Sequence, residues 1–100
     1  MNTFTLTKKA KADLKSIIIY TQKKWGKEQR KLYARQFDDT FHMLSDNPSA
    51  GSKCDFIKQR YRKFPVASHM VFYRSISQSE IEFVRILHKH MDAEANIGKP

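Results

Sequence analysis

The residues of this sequence best suited to chemistry are basic and lie in its second half. His88 and His90 flank Lys89 in an extended segment, where alternate side chains point to one side, so the two imidazoles share a face. Two imidazoles could help to hold a metal ion, but no third ligand stands at a recognised spacing, and we therefore expect no metal site. The other residues of suitable type are Arg62, Lys63, His69, Tyr73, Arg74 and Arg85.

Such a set could support metal-independent cleavage of RNA. In that reaction a base removes the 2′-OH proton, an acid protonates the leaving oxygen, and cations stabilise the charge of the phosphorane. The spacing singles out no acid–base pair, so we favour a solvated basic rim, with Arg85 bent toward a strand end to keep its charge in water. Without such a pair we expect no catalytic residue. The three glycines at 26, 51 and 98 form no phosphate-binding loop, so nucleotide binding is not expected, and we expect no cofactor.

Aromatic residues are interleaved with cations in two places, residues 61–64 (YRKF) and 72–74 (FYR). This pattern is typical of surfaces that stack bases and contact phosphates. No RNP-like motif accompanies it, and packing in a core explains most of these aromatics equally well. Both interpretations stay open at this point.

The composition predicts one compact domain over residues 1–100 and an anionic partner. Nineteen Lys and Arg oppose ten Asp and Glu, for a net charge of +9, and 40% of the residues are hydrophobic. Cys54 is the only cysteine, so no internal disulfide is expected. The longest aliphatic run, Ile17 to Ile19, is far too short to cross a membrane, and we expect a cytoplasmic protein without a membrane partner.

Hydrophobic periodicity predicts an α+β fold: a strand, a helix hairpin and an antiparallel meander. Phe4 and Leu6 alternate with threonines, and Thr7 can cap a helix that ends at Trp25-Gly26. A second helical pattern ends at Asn47-Pro48. Strands are predicted at residues 61–66, 69–76 and 81–87, a loop at 46–58 and a loose tail at 94–100. We expect one sheet face to pack on the helices and the other to remain an open, concave polar-aromatic surface.

Several strings, in order along nearly the whole chain, resemble the ParE toxins of the RelE/ParE toxin–antitoxin superfamily. They are residues 10–14 (AKADL), 25–26 (WG), 47–48 (NP) with Gly51, 61–65 (YRKFP), 69–73 (HMVFY), 84–88 (VRILH) and 91–92 (MD). Each string is weak alone, and the set is specific.

The resemblance implies a β-α-α-β-β-β fold, with the helix hairpin packed on a small, mainly antiparallel sheet and a short C-terminal helical turn. It also implies a toxin that inhibits DNA gyrase and is neutralised by a ParD-type antitoxin with an acidic C-terminal segment. DNA would be reached only indirectly, through the toxin–antitoxin complex. We expect the antitoxin to contact Tyr20, Trp25, Arg62, His69, Arg74 and Arg85.

Trp25 has an alternative role as a core or hairpin-closing residue. For contact with gyrase, the C-terminal candidates are His88, Lys89, His90, Met91 and Asp92. The alternative function is a ribosome-dependent mRNA endoribonuclease of the RelE branch, for which Arg85 and His88 occupy suggestive positions.

Overall fold

A computed structural model describes residues 2–55, 57–91 and 93–97 of the chain and confirms the α+β fold. The predicted helix hairpin and meander are present, together with a two-residue strand within the predicted loop. In chain order the elements are β1 (Thr3–Leu6), α1 (Lys8–Trp25), α2 (Lys27–Asp46), a 3-10 turn (Pro48–Ala50), β2 (Ser52–Lys53), β3 (Arg62–Val66), β4 (His69–Ser77), β5 (Glu80–His88) and α3 (Ala93–Ile97).

Local capping residues set the limits of the two long helices. The Thr7 hydroxyl accepts the Ala10 N–H at 3.1 Å, which satisfies one of the free donors at the start of α1. Gly26 ends α1 and begins α2 at φ 93°, a left-handed value that favours glycine over residues with a Cβ. The reversal at Gly26 produces the hairpin.

The sheet has the strand order β1-β5-β4-β3-β2. β1 runs parallel to β5, and the other neighbouring pairs are antiparallel. The first and last strands of the predicted series are therefore neighbours. The helix hairpin carries the chain from β1 at one edge of the sheet to β2 at the other. Its apolar face covers a core that includes Phe37, Phe41, Val71 and Phe83.

The expectation of an open second sheet face is wrong. Phe72 and Leu87 belong to a second core, which also includes Cys54 and Ile57 from the segment before β3. Ala93 and Ile97 of α3 pack against it. The short C-terminal helical turn that the resemblance implied is thus present, and the expectation of a loose tail from residue 94 is wrong as far as Ile97. Phe72 and Leu87 are 3% and 2% exposed, and leaving such large apolar groups in water would cost free energy, so the chain covers them.

Tyr73, one of the residues suited to chemistry, has a structural role. Its hydroxyl donates to the Pro48 carbonyl at 2.7 Å and accepts the Gly51 N–H at 2.9 Å, in a side chain that is 1% exposed. Burial raises the pKa of Tyr73, so the hydroxyl keeps its proton for this bond. A Cβ at Gly51 would collide with the same hydroxyl, which explains the glycine there.

A bidentate ion pair joins α1 to β5. Arg85 donates to Asp13 through Nε at 2.7 Å and Nη2 at 3.0 Å, and both side chains are 17% exposed. Asp13 also accepts the Ile86 N–H at 3.0 Å, and Arg85 donates to the Asn96 carbonyl at 3.1 Å. The bonds to Asp13 raise the pKa of Arg85 although burial opposes them, and Arg85 is paired rather than bent toward water.

Replacing Asp13 should therefore destabilise the fold strongly. Asp13→Asn leaves the largely buried guanidinium without its counter-charge, and we expect the free energy of unfolding to fall by about 2–3 kcal/mol in urea denaturation. Glu28→Gln is the matched control, since Glu28 pairs with Lys31 at 3.7 Å between largely exposed side chains and should contribute little. Equal effects of the two substitutions would contradict the central role of Asp13.

Candidate functional site

A groove of about 370 Å³ opens where the helix hairpin meets the ends of β4 and β5. We call it the junction groove. The side chains that give it its character are Tyr20, Lys24, Trp25, Tyr33, His69 and His88. Aromatic, cationic and imidazole groups from both helices and two strands thus face one cavity.

Two large aromatic side chains form the helix side of the junction groove and remain exposed. Tyr20 is 60% and Trp25 65% exposed, whereas most large apolar side chains of the chain are covered. The Lys24 ammonium lies 5.4 Å from the centre of the Trp25 ring and 5.7 Å from that of Tyr20. Trp25 is therefore not a core residue, and a cation flanked by aromatic faces is available to a partner.

Histidines form the sheet side of the junction groove. His69 and His88 are register partners on β4 and β5, with ring centroids 5.4 Å apart, and the His90 ring lies 5.1 Å beyond His88. The His69 Nδ1 shares a hydrogen bond of 2.8 Å with the Tyr33 hydroxyl. Burial lowers the pKa of His69, and the neighbouring His88 lowers it further. A carboxylate entering the groove would reverse part of this effect by favouring the charged imidazole.

The structure brings together three of the six predicted antitoxin contacts. Tyr20, Trp25 and His69 line the junction groove, together with His88, which the sequence had suggested for gyrase contact. Arg62, Arg74 and Arg85 lie elsewhere, each already engaged. Arg62 donates to the Gly51 carbonyl at 2.7 Å, Arg74 pairs with Glu82 at 3.1 Å, and Arg85 is held by Asp13.

The predicted gyrase contacts begin at His88, the last residue of β5, and continue along the chain beyond it. His88, Lys89 and His90 are exposed, and Met91 is 46% exposed. Asp92 lies outside the described residues. The four described residues form a continuous exposed segment, which we call the C-terminal segment.

Sequence reasoning missed two residues of the junction groove. Tyr33 lies on the apolar stripe of α2, a pattern that predicts only a core position. Lys24 belongs by sequence to the cationic outer face of α1, although it follows Tyr20 by four residues and so shares its side of the helix. That spacing was the available signal.

The groove holds no evident metal centre. Within residues 2–55, 57–91 and 93–97, no cluster of three or more His, Cys, Asp or Glu side chains is arranged to hold a metal ion.

Cys54 is fully buried, and burial raises the pKa of its thiol. None of the helices in the described part of the chain is long and apolar enough to span a membrane.

Comparison with known proteins identifies the family. Residues 4–93 match the family model of the ParE toxin of the type II toxin–antitoxin system parDE. The chain belongs to the ParE toxin family. It is 37% identical over 98 residues to toxin ParE1 of Caulobacter vibrioides, covering 98% of this chain and all of that one.

Further relatives agree with this assignment. Toxin ParE1 of Mycobacterium tuberculosis is 35% identical over 94 residues, which cover 94% of this chain and 96% of that protein. A solved chain of the chromosomal ParDE toxin–antitoxin system of P. aeruginosa superposes with a TM-score of 0.72 at 20% identity, covering 88% of this chain and 96% of that one. This structural match shows a shared fold.

The histidine pair predicts a pH dependence of stability. The folded pKa of His69 lies below its ordinary 6.5, so the unfolded chain binds the proton first as pH falls. The contribution of His69 to stability is fully present above about pH 6.5, the ordinary pKa of the unfolded chain. It should be lost as pH falls from about 6.5 toward the folded pKa. Titration of the imidazole signals by NMR, together with urea denaturation across this range, measures both effects.

His88→Gln should raise the pKa of His69, because it removes the neighbouring positive charge. His42→Gln is the matched control, since His42 is an exposed histidine of α2 that pairs with Asp38 rather than with His69. A wild-type His69 that titrates at or above 6.5 would contradict the interpretation.

Proposed function

We propose that this ParE-family toxin inhibits DNA gyrase and is neutralised by a ParD-type antitoxin that docks in the junction groove. The observation that carries the antitoxin part is the exposure of Tyr20 and Trp25 beside Lys24, His69 and His88. Large exposed aromatic groups rimmed by polar and cationic groups are typical of protein interaction sites. Membership of the parDE toxin family supports an antitoxin as the partner.

The chemistry of the junction groove favours an acidic, amphipathic segment as its occupant. Apolar side chains of such a segment would cover Tyr20 and Trp25, and its carboxylates would approach Lys24 and the histidine pair. The net charge of +9 would also accelerate the approach of an acidic partner. A segment that orders as it binds loses conformational entropy, so these few anchors must supply much of the affinity.

Among the arginines proposed as antitoxin contacts, Arg74 remains the most accessible. Its side chain is 46% exposed despite the pair with Glu82, so an antitoxin carboxylate can reach the same guanidinium. Arg85 is 17% exposed and held by three hydrogen bonds to Asp13 and Asn96, and we assign it to the stability of the fold instead. Arg62 offers only the donors that Gly51 and Ser49 leave free.

Truncating Trp25 should weaken antitoxin binding. Trp25→Ala removes an exposed anchor, and we expect affinity for a co-purified ParD-type antitoxin to fall by about 30-fold or more, the scale of an aromatic hot spot. Isothermal titration calorimetry measures this. Leu32→Ala is the matched control, since Leu32 is 57% exposed on α2 but does not line the groove. Equal losses for both variants, or none for Trp25→Ala, would place the antitoxin elsewhere.

For the toxic action we propose binding to gyrase rather than catalysis. Among the groups suited to RNA cleavage, the three histidines adjoin one another at the junction groove, but the others lie apart from them: Tyr73 is buried under Gly51, and Arg85 is paired with Asp13. This scatter argues against the endoribonuclease alternative, which would require an acid, a base and cations around one phosphate. The proposed gyrase contact is the exposed C-terminal segment, in which Met91 is an exposed apolar side chain.

The purified chain should stop ATP-dependent supercoiling by gyrase or trap cleaved DNA. Met91→Ala should raise the concentration needed for half-inhibition by about tenfold, as the loss of one apolar anchor would. Ile76→Ala is the matched control, because Ile76 is 43% exposed on β4 outside the C-terminal segment. Unimpaired supercoiling at a large molar excess of toxin would overturn the proposal, and codon-positioned cuts in translated messages would favour the alternative.

A further inference from the structure

A second surface, separate from the junction groove, is formed where two concavities meet at Tyr61. The first has a volume of about 350 Å³ and includes Lys8 and Lys9 at the start of α1. The second, of about 400 Å³, includes Lys53, Arg60 and Arg62 from β2, β3 and the turn between them. We call these five cations, grouped around Tyr61, the Tyr61 surface. It shares no lining residue with the junction groove.

The charge of the Tyr61 surface is largely uncompensated. Two other charged residues of the first concavity are already paired, Glu82 with Arg74 and Arg85 with Asp13. In the second concavity, the carboxylate of Asp55 accepts the backbone N–H of Arg60 at 2.9 Å. Within the described ranges, none of the five cations forms an ion pair, so five positive charges face one available carboxylate.

Three of these cations occupy positions that are unfavourable for local structure. The first turn of α1 contains Lys8 and Lys9 and no acidic residue, although the positive end of the helix dipole favours acids there. Arg60 occupies φ 70°, a left-handed value that glycine or asparagine adopts with less strain. Local choices that oppose stability are expected where a residue serves binding.

The Tyr61 surface lacks the groups that a protein segment or a single strand would need. None of the large exposed apolar side chains of the described residues lines it. Tyr61, the only aromatic residue among the described lining residues of the two concavities, is partly buried because it packs against the second core. A surface with five cations and a single, partly buried aromatic side chain is better suited to contact phosphates than to stack on bases. The outside of a DNA duplex presents phosphates and sugars.

We infer that the Tyr61 surface binds the phosphodiester backbone of duplex DNA directly and without sequence preference. This departs from the expectation that DNA is reached only through the antitoxin complex. It is independent of the proposed action on gyrase and of antitoxin docking, since neither protein is needed for the contact. A toxin that holds DNA itself would be concentrated wherever its protein target is bound to DNA.

The test is a salt series with a fluorescent 20-base-pair duplex of arbitrary sequence, followed by anisotropy, with single-stranded DNA and RNA of the same sequence as competitors. The logarithm of the binding constant should fall linearly with the logarithm of salt concentration. The double variant Lys8→Gln/Lys9→Gln should reduce that slope by roughly 1.8, about 0.9 for each phosphate that is no longer neutralised. Lys23→Gln/Lys27→Gln, an equal reduction of charge at exposed lysines outside the surface, should change it much less.

Arg60→Gly separates binding from folding. It removes one cation and the left-handed strain together, so the thermal unfolding midpoint should stay the same or rise while affinity for the duplex falls. Equal effects of the two lysine pairs would show attraction by net charge alone and overturn the inference. Tighter binding to either single strand, or full affinity in Arg60→Gly, would overturn it as well.

Discussion

The ion pair between Asp13 and Arg85 is the contact on which the rest of the structure depends. β1 pairs with β5 only as far as Phe83, while β5 continues to His88. Beyond Phe83 the first turns of α1 replace the missing strand: the Thr7 hydroxyl donates to the Val84 carbonyl, and Asp13 accepts the Ile86 N–H. An exposed strand edge is thereby closed by a helix. The direction of α1 follows, and Tyr20, about two turns beyond Asp13, is carried to the end of the sheet where β4 and β5 present their histidines.

The sheet is buried on both faces, and this determines where the chain can act. The helix hairpin covers one face, and α3 together with Cys54 and Ile57 from the segment before β3 covers the other. No open concave face therefore remains for a substrate in the described residues. Function is left to the margins of the sheet. The junction groove combines aromatic anchors with imidazoles and one ammonium, whereas the Tyr61 surface carries cations without anchors. The two surfaces share no lining residue.

The elements of the fold were predictable because their signals are local. Thr7, Gly26 and Asn47-Pro48 set helix limits through hydrogen bonds and backbone angles within a few residues, and the meander follows from alternation along each strand. Part of the candidate site was expected too, since Tyr20 and Trp25 were named as antitoxin contacts, although a core or hairpin-closing role stayed open for Trp25. His69 on the sheet side was also among the predicted contacts, but its bond to Tyr33 was not predictable, because the two residues are 36 positions apart and no local pattern encodes that bond.

Residue types and their order along the chain were thus enough to establish the α+β class, the cationic character and the kinship with ParE toxins, since each depends on composition, periodicity or matching strings. The use of each charged group was decided by packing. Arg85 meets Asp13 across 72 positions and becomes an internal support, and Tyr73 crosses 25 positions to hold Pro48. His88 packs against His69 in the junction groove and is also the first residue of the C-terminal segment. The physical reason is that a polar side chain removed from water must find a partner, and folding decides which partners come within reach.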